Sequence, residues 1–213
     1  MKFETFLKSI SKIKNLNLPG EASQFKMSPP FRSELVEENR KKMKTAKKAG
    51  VMALFYPHVA NETYLVLILR KTYKGVHSAQ VGFPGGKFEK SDPDLEFTAL
   101  RETEEEVGVP IPKIEVLKAM TPLYIPPSNF TVASFVGITM QTPKFIKQIE
   151  EVEDVIEVKL SDFLDDANTT DVSVMTSMNV HANVPAFLLN GHVVWGATAM
   201  MLSELKDLLK KVL

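Results

Sequence analysis

Two neighbouring stretches of the chain decide its fold: GFPGGKFE at residues 82–89 and ALRETEEEVGV at residues 99–109. Gly85 and Gly86 lack side chains, so the first stretch can turn tightly and approach a neighbouring element closely. From residue 94 to residue 107 the apolar residues have helical spacing, and Gly108 follows as a helix-ending residue. The pair predicts a tight glycine turn beside a charged amphipathic helix.

The predicted helix carries three glutamates on one face. Glu105 and Glu106 lie three and four residues after Glu102 and share its face, whereas Glu104 points elsewhere. Each like-charge pair at this spacing costs about 0.2 to 0.5 kcal/mol in an isolated helix, so stability gives no reason for the arrangement. A bound Mg²⁺ or Mn²⁺ ion would explain the arrangement, because both ions bind carboxylate and carbonyl oxygens. We predict a divalent-metal site here, with the backbone carbonyl of Gly86 as a further ligand.

A solvated acidic helix is the alternative to a metal site, and for a run of glutamates alone it is the commoner one. Two features favour the site. The glutamates stand at a defined interval from the glycine turn, and Arg101 directly precedes Glu102. A guanidinium group can pair with a carboxylate through two parallel hydrogen bonds and offset part of the repulsion. We therefore predict that Arg101 orients one of the carboxylates.

The rest of the chain predicts a mixed sheet between helices. The apolar runs at 51–56 and 64–69 predict two strands of a hairpin, because a short polar turn separates them. Strands before and after a single central helix, with helices at both ends of the chain, favour an α/β/α sandwich. Further predicted elements are strands over 114–117, 130–140, 155–158 and 184–195 and a final helix over 197–212.

Residues 1–47 predict an N-terminal extension that packs on the main domain of residues 48–213. Residues 3–16 place apolar side chains at helical spacing. Such an amphipathic helix can lie on a membrane surface, but packing on the domain core is its commoner fate. Residues 19–32 contain several prolines and predict an irregular linker. Residues 33–48 predict a helix that becomes basic, whose lysines form either a solvated face or a phosphate-attracting one.

Composition excludes several classes of protein. At 213 residues, the chain fits one large domain with an extension better than two full domains. It has no cysteine, which excludes disulfides, thiolate metal sites and a cysteine nucleophile. Its 26 basic and 26 acidic residues balance, so a surface that coats nucleic acid is not expected. There is no uninterrupted run of about 18 apolar residues and no secretory signal, so we expect a cytoplasmic protein without stable membrane insertion.

These motifs resemble the signature of the Nudix hydrolases: a glycine, a glutamate six positions on, then Arg-Glu-apolar-x-Glu-Glu-x-Gly and an apolar residue. Asp92 stands where the signature has that glutamate, whose role by this resemblance is to start the helix or orient its neighbours, and Thr103 stands where an aliphatic residue is common. The resemblance implies an α/β/α sandwich that hydrolyses a nucleoside diphosphate linked to another group. The residues that fall on the signature are Gly86, Arg101, Glu102, Glu105, Glu106, Gly108 and Val109.

Three further segments are similar to the coenzyme A pyrophosphatase branch of the Nudix group. They are a leucine-rich strand ending in Arg70, the Phe-Pro-Gly-Gly-Lys segment at 83–87, and Trp-Gly-Ala-Thr-Ala at 195–199. The resemblance implies coenzyme A or an acyl derivative as the leading substrate, cut into 3′,5′-ADP and (acyl) phosphopantetheine. The residues that depart from this branch upstream of the glycine turn are Lys71, Gly75 and Ala79.

The resemblance also implies which residues take which role. With Mg²⁺ or Mn²⁺ as cofactor, the metal ligands are Gly86, Glu102, Glu105 and Glu106. The catalytic residues are Glu102, Glu105 and Arg101. The substrate-binding residues are Arg70, Phe83, Lys87 and His77. The carboxylate that takes the proton from water stays open between Glu102, Glu105 and one of Glu150, Glu151 and Glu153.

Several alternatives stay open at this stage. The substrate could instead be ADP-ribose, a dinucleotide or a nucleoside triphosphate, and the chain could be a non-catalytic nucleotide-binding domain that regulates a partner. We expect a small-molecule substrate and no nucleic-acid partner, with a homodimer as one possible assembly.

His77 is either a substrate contact or a surface loop residue. Trp195 is favoured as a core residue. The loop at 126–129 either shapes a pocket rim or is a simple turn, and the lysines at 41–48 are a candidate contact for the 3′-phosphate of coenzyme A.

Overall fold

The computed structural model describes residues 1–71, 80–175 and 181–213. The helices are α1 (Phe3–Ile10), α2 (Glu21–Gln24), α3 (Arg32–Glu38), α4 (Arg40–Met43), α5 (Leu95–Val107), α6 (Leu160–Leu164) and α7 (Gly196–Leu209). The strands are β1 (Lys47–Pro57), β2 (Thr63–Arg70), β3 (Val81–Gly82), β4 (Gly85–Lys87), β5 (Glu115–Ala119), β6 (Leu123–Ile125), β7 (Phe130–Ile138), β8 (Val152–Lys159), β9 (Thr169–Met175), β10 (His181–Leu189) and β11 (His192–Trp195). Short 3₁₀ turns occur at Ser11–Asn15, Phe25–Met27, Val59–Asn61, Ile111–Lys113 and Asp166–Asn168.

Eight of the described strands form one mixed sheet, with β3, β2, β1, β7 and β5 side by side in that order. The long strand β1 runs parallel to β7 and antiparallel to β2, so the predicted hairpin of β1 and β2 is confirmed. The first part of β1 pairs with β4 on its other side, and the first part of β7 pairs with β6. The order β4, β1, β7, β6 therefore runs across this end of the sheet.

The two faces of the sheet carry separate cores, because successive residues of a strand point to opposite faces. On one face Ala53 and Phe55 of β1 pack in a cluster with α1 and α7, and the rings of Phe6 and Phe55 lie 5.0 Å apart. On the other face Met52 and Leu54 pack with α5. The helices thus cover both faces, which confirms the predicted α/β/α sandwich with a mixed sheet.

A glycine in β1 permits the close approach of α5 to the sheet. A Cβ atom at Gly50 would lie 2.3 Å from the carbonyl oxygen of Leu95 and 3.0 Å from the backbone nitrogen of Ala99. Both are backbone atoms of α5, so any side chain at this position would push the helix away. The sequence prediction of a helix over 94–107 is confirmed, and Asp94 caps it by accepting the N–H of Phe97.

The predicted irregular linker over 19–32 is wrong in part, since α2 forms inside it. Contacts with the C-terminal helix explain this. The buried carboxylate of Glu204 on α7 accepts the backbone N–H of Gly20 and the side-chain amide of Gln24, and Ser203 donates to the carbonyl of Ser23. Tertiary hydrogen bonds therefore order a segment whose local sequence does not favour helix.

The single strand predicted over 184–195 is also wrong, because two strands and a turn occupy it. Asn190 and Gly191 both have positive φ and connect β10 to β11 as a hairpin. Together with β9 these strands form a separate three-stranded sheet among the described residues.

The N-terminal helix packs against the sheet, with Phe3, Phe6 and Ile10 buried in the core. The boundary predicted at residue 47 remains a prediction. Over the described ranges, no helix is both long enough and apolar enough to cross a membrane.

Candidate active site

The glycine turn lies directly against α5. Gly86 pairs with Gly50 of β1, and a Cβ atom on Gly86 would lie 2.4 Å from the carboxyl carbon of Glu102. Gly85 has a φ of 145°, and a Cβ atom there would lie 2.5 Å from backbone atoms of both Gly50 and Val51. Both positions therefore require glycine, one for the backbone and the other for the approach of a carboxylate.

Glu106 is the most deeply buried of the three glutamates, with a side chain 1% exposed. Its Oε2 accepts the backbone N–H of Gly85 at 2.7 Å. Its Oε1 lies 3.3 Å from Nη1 of Arg70 and has no hydrogen-bond partner in the described part of the chain. Burial raises the pKa of Glu106 to about 7, Arg70 and the Gly85 N–H oppose that rise, and the charges of Glu102 and Glu151 add to it.

Arg101 contacts three carboxylates, those of Asp92, Glu102 and Glu105. It forms two hydrogen bonds with Asp92, at 2.9 Å from Nε and 3.0 Å from Nη2. Its Nη1 lies 3.1 Å from Glu102 and 3.0 Å from Glu105, and its Nη2 also donates to the carbonyl of Lys87. The predicted orienting contact between Arg101 and a neighbouring carboxylate is therefore present.

Asp92 holds this arginine in place. Besides pairing with Arg101, it accepts the hydroxyl of Thr98 and the backbone N–H of Glu89. The Arg101 guanidinium holds the pKa of Asp92 well below its usual range. Of the two roles that the resemblance implied for Asp92, the structure supports orientation, since Asp94 caps the helix.

The acidic residues differ in exposure and in what surrounds them. The side chain of Glu102 is 13% exposed, and burial is the main cause of its raised pKa. The side chain of Glu105 is 51% exposed. The charge of Glu151 also raises the pKa of both Glu102 and Glu106. Glu151 lies just before β8. Its segment is held next to the end of α5, because the backbone N–H of Gln148 donates to the carbonyl of Glu106.

The described residues contain no group of three acidic or histidine side chains that is already arranged to hold a metal ion. Arginines stand beside these carboxylates instead: Arg101 pairs with Glu102 and Glu105, and Arg70 lies beside Glu106. The donor set nevertheless fits a hard divalent cation. It consists of oxygen atoms only, and one buried oxygen, Oε1 of Glu106, has no hydrogen-bond partner among the described residues.

A cavity of about 310 Å³ meets these carboxylates at the backbone of Gly85 and Gly86. Residues from the N-terminal stretch, the loop at 125–128 and the start of α7 complete its walls. Its cationic lining residues are Arg32, Arg70 and Lys87, and its aromatic lining residues are Phe31, Phe83, Phe130 and Trp195. No aspartate or glutamate is among the described lining residues. The composition favours an anionic ligand that also carries a flat or apolar part.

The predicted substrate-binding residues are placed as follows. Arg70 lines the cavity, donates to the carbonyl of Gly85 at 2.6 Å and lies next to Glu106. Phe83 and Lys87 line it as well. His77 lies outside the described residues. These positions agree with the predicted roles, which remain proposals.

Trp195 and the loop at 126–129, each interpreted above from the sequence, both contribute to the cavity wall. Trp195 is half-buried and lines the cavity, so its interpretation as a core residue is wrong. Trp195 is the last residue of β11 and α7 begins at the next residue, so the tryptophan lies at the cavity wall where strand and helix meet. Pro126 and Pro127 line the cavity, which favours the pocket-rim interpretation of their loop.

The sequence interpretation missed Phe31 and Arg32 as cavity residues. Their segment was predicted as a linker, and no local pattern indicates which wall a linker will reach. The adjacent Pro29-Pro30-Phe31 run, which is apolar and rigid, is the one signal that it packs against something.

Family comparison assigns this arrangement to a known class of protein. The NUDIX domain family matches residues 47–176, which include the glycine turn, α5 and most of the sheet. The chain therefore belongs to the Nudix hydrolase family, as its signature residues predicted.

Among curated relatives, the chain is similar to the human protein named mitochondrial coenzyme A diphosphatase NUDT8, at 34% identity over 128 residues, which is 60% of this chain and 54% of that protein. The chain thus matches about half of that relative's length. It is 33% identical over 149 residues to NudL of Yersinia pestis (strain Pestoides F), an uncharacterised Nudix hydrolase, covering 68% of this chain and 71% of NudL.

Among solved structures, the fold is similar to RenU, a Nudix hydrolase from M. smegmatis. The TM-score is 0.55 at 13% sequence identity, and the match covers 79% of this chain and 88% of RenU. This similarity supports the fold alone.

We expect the metal-free protein to lose stability as the pH rises from about 4.5 to about 7, because burial raises the pKa of Glu106 across that interval. An acid with a raised pKa binds its proton more tightly in the folded state, so its cost is absent below the interval and complete above it. The Glu106→Gln variant lacks this titration. In chelator, urea unfolding of both proteins should give similar stabilities near pH 4.5, whereas above pH 7 the variant should gain on the order of 2 kcal/mol. A difference that stays constant over this range would contradict the assignment.

Proposed function

We propose that this protein catalyses the divalent-metal-dependent hydrolysis of a nucleoside diphosphate derivative. The leading substrate is coenzyme A or an acyl-coenzyme A, cut into 3′,5′-ADP and (acyl) phosphopantetheine. The observation that carries the proposal is the junction at Gly85 and Gly86, where a cavity with cationic and aromatic walls meets a group of buried carboxylates.

The proposed ligands of Mg²⁺ or Mn²⁺ are Glu102, Glu105, Glu106 and the carbonyl of Gly86. When bound, the ion supplies charge neutralisation for the diphosphate and lowers the pKa of a water molecule. Glu106 is held by the N–H of Gly85 with its other oxygen lacking a hydrogen-bond partner among the described residues, which suits a fixed ligand. Nη1 of Arg101 lies 3.1 Å from Glu102 and 3.0 Å from Glu105, and its positive charge offsets part of the repulsion between the two carboxylates.

Arg70 and Lys87 are proposed to bind phosphate oxygens of the substrate. Both line the cavity, and Arg70 is already held by the carbonyl of Gly85. An arginine fixed in this way loses little side-chain entropy when an anion arrives. Phe83 is proposed to form part of the apolar wall, where it is buried.

The general base is proposed to be Glu102, Glu105 or Glu151. Glu151 replaces the broader set of Glu150, Glu151 and Glu153, because its charge acts on both Glu102 and Glu106. A base must lie within hydrogen-bond reach of the attacking water. Glu102 and Glu105 lie on α5, and Glu151 belongs to the segment that the hydrogen bond from Gln148 to the carbonyl of Glu106 holds at the end of α5.

Two observations support coenzyme A over ADP-ribose, a dinucleotide or a nucleoside triphosphate. The human relative is named a coenzyme A diphosphatase. The cavity also carries a third cation, Arg32, which is bound to the carbonyl of Tyr124 on β6 and suits a substrate with a phosphomonoester separate from its diphosphate. A non-catalytic regulatory role is disfavoured, because the full set of Arg101, Glu102, Glu105 and Glu106 is retained.

The test is a substrate panel assayed with Mg²⁺, with Mn²⁺ and with excess chelator, the products being identified by mass spectrometry. We expect coenzyme A to yield 3′,5′-ADP and phosphopantetheine, and chelation to lower the rate at least about 100-fold, because the metal supplies both charge neutralisation and the nucleophile. Faster turnover of ADP-ribose, a dinucleotide or a nucleoside triphosphate would replace the substrate. Binding of nucleotides without any turnover would favour the regulatory alternative.

A cytoplasmic location and a homodimer are proposed as secondary properties. Because the human relative is named a mitochondrial protein, cell fractionation should compare the cytosol with mitochondria where the source cell has them. Sedimentation at several protein concentrations measures the assembly directly.

A further inference from the structure

Arg32, the first residue of α3, is buried beside the cavity and incompletely hydrogen-bonded. It is 8% exposed and lines the cavity. Its Nη2 donates to the carbonyl of Tyr124 at 2.5 Å, while Nε has no hydrogen-bond partner in the described ranges. Nε is itself enclosed, so the terminal part of the guanidinium is what can meet a ligand. A buried guanidinium with one acceptor among the described residues is costly, and a ligand in the cavity can supply a further acceptor.

Two guanidinium groups stand at opposite sides of the cavity. Arg70 is bound to the carbonyl of Gly85 on β4, and Arg32 to the carbonyl of Tyr124 on β6. Between these strands lie β1 and β7, so the two carbonyls belong to strands three spacings apart. At about 4.8 Å per spacing, this separates the two strands by roughly 14 Å. Arg32 is therefore distant from the glycine turn and the carboxylates of α5.

The surroundings of Arg32 favour a phosphate as the missing acceptor. The nearby walls are apolar, formed by Phe31, Pro126 and Phe130, and no carboxylate is among the described lining residues. The planar fork of an arginine matches the oxygens of a phosphomonoester, and the attraction is strongest where water is excluded. Glu21 is close enough to affect Arg32 electrostatically, but burial has the larger influence and lowers the pKa of the guanidinium.

We propose that Arg32 forms a second anion subsite, which binds a terminal phosphomonoester of the substrate while the diphosphate lies at the glycine turn. The proposal rests on the proposed function and deepens it: the ligand class is a nucleotide with phosphates on both O3′ and O5′, as in the 3′-phosphoadenosine part of coenzyme A. It makes the N-terminal stretch a determinant of specificity. In this proposal Arg32, and not the lysines at 41–48, contacts the 3′-phosphate, because none of those lysines lines the cavity.

The test is calorimetric binding of 3′,5′-ADP and of 5′-AMP, which differ only in the 3′-phosphate. We expect the wild-type protein to prefer 3′,5′-ADP, and Arg32→Gln to weaken 3′,5′-ADP binding about 10- to 100-fold while changing 5′-AMP binding less than about 3-fold. Arg32→Lys should retain part of the preference, because it keeps the charge and loses the fork. The matched control is Lys41→Ala with Lys42→Ala, which removes two exposed cations outside the cavity and should leave the preference unchanged.

A purely structural role for Arg32 predicts a different pattern. The unfolding temperature of Arg32→Gln would fall and both ligands would weaken equally, which would overturn the proposal, as would an unchanged preference. If Arg32→Gln does not fold, Arg32→Lys decides, with an expected loss of preference of about 3- to 10-fold. A preference that depends on Arg32 in a protein that does not hydrolyse coenzyme A would keep the subsite and reject the proposed reaction. Hydrolysis of coenzyme A by a protein whose preference does not depend on Arg32 would keep the proposed reaction and reject the subsite.

Discussion

Glu106→Gln should lower kcat by roughly 10²- to 10³-fold, the loss that follows removal of one preorganised charge-stabilising group. Gln keeps the size of the side chain and can still accept the N–H of Gly85, so the fold should survive. Because burial of the Glu106 carboxylate is unfavourable, the unfolding temperature in chelator should stay equal or rise. Loss of activity without loss of stability is the expected combination.

The matched control for this substitution is Glu104→Gln. Glu104 lies on the same helix but is exposed, and the same chemical change there should alter kcat less than about 2-fold. Steady-state kinetics and thermal unfolding of the two variants, each measured with Mg²⁺ and with Mn²⁺, are sufficient. Turnover retained by Glu106→Gln would remove this residue from the metal site.

Gly85→Ala and Gly86→Ala should separate stability from activity at adjacent positions. At Gly85 the new Cβ atom would meet backbone atoms of Gly50 and Val51, and the positive φ adds strain, so we expect a loss of roughly 3 kcal/mol or more. At Gly86 the three atoms nearest to the Cβ atom all belong to the end of the Glu102 side chain, which can move. Stability should then change little, while displacement of that carboxylate lowers kcat about 100-fold.

Denaturant unfolding and kinetics of the two variants check this pair. Each is the control for the other, since the chemical change is identical and the positions differ by one residue. An active, stable Gly86→Ala protein would mean that Glu102 does not need its place against the turn, and the proposed ligand set would then have to exclude it.

Sequence reasoning succeeded where the determinants are local. The helix over 94–107, the hairpin of β1 and β2, and the glutamate face beside the glycine turn all follow from spacing within one or two elements. Asp92 illustrates the limit of such reasoning. Two aspartates lie near the start of α5, and spacing alone did not distinguish Asp94, which caps the helix, from Asp92, which orients Arg101.

Failures arose mainly where distant segments meet. The order in α2 depends on Glu204, and the position of Arg32 depends on Tyr124, so neither can be derived from neighbouring residues. Trp195 was assigned to the core from its apolar neighbours, although it lines the cavity. The turn at Asn190 and Gly191 is a different case, because Asn-Gly is a strong hairpin signal that was present in the sequence.

The cavity draws its walls from both ends of the chain, and this bears on how substrate choice diverges among related proteins. Arg32 and the residues from Trp195 to Met201 all lie outside the segment that defines family membership. Under the proposed function, mutations in those terminal segments would change ligand preference while the residues of α5 stay the same. Inferences about substrate that are transferred through the shared central segment alone ignore the residues that would encode the difference.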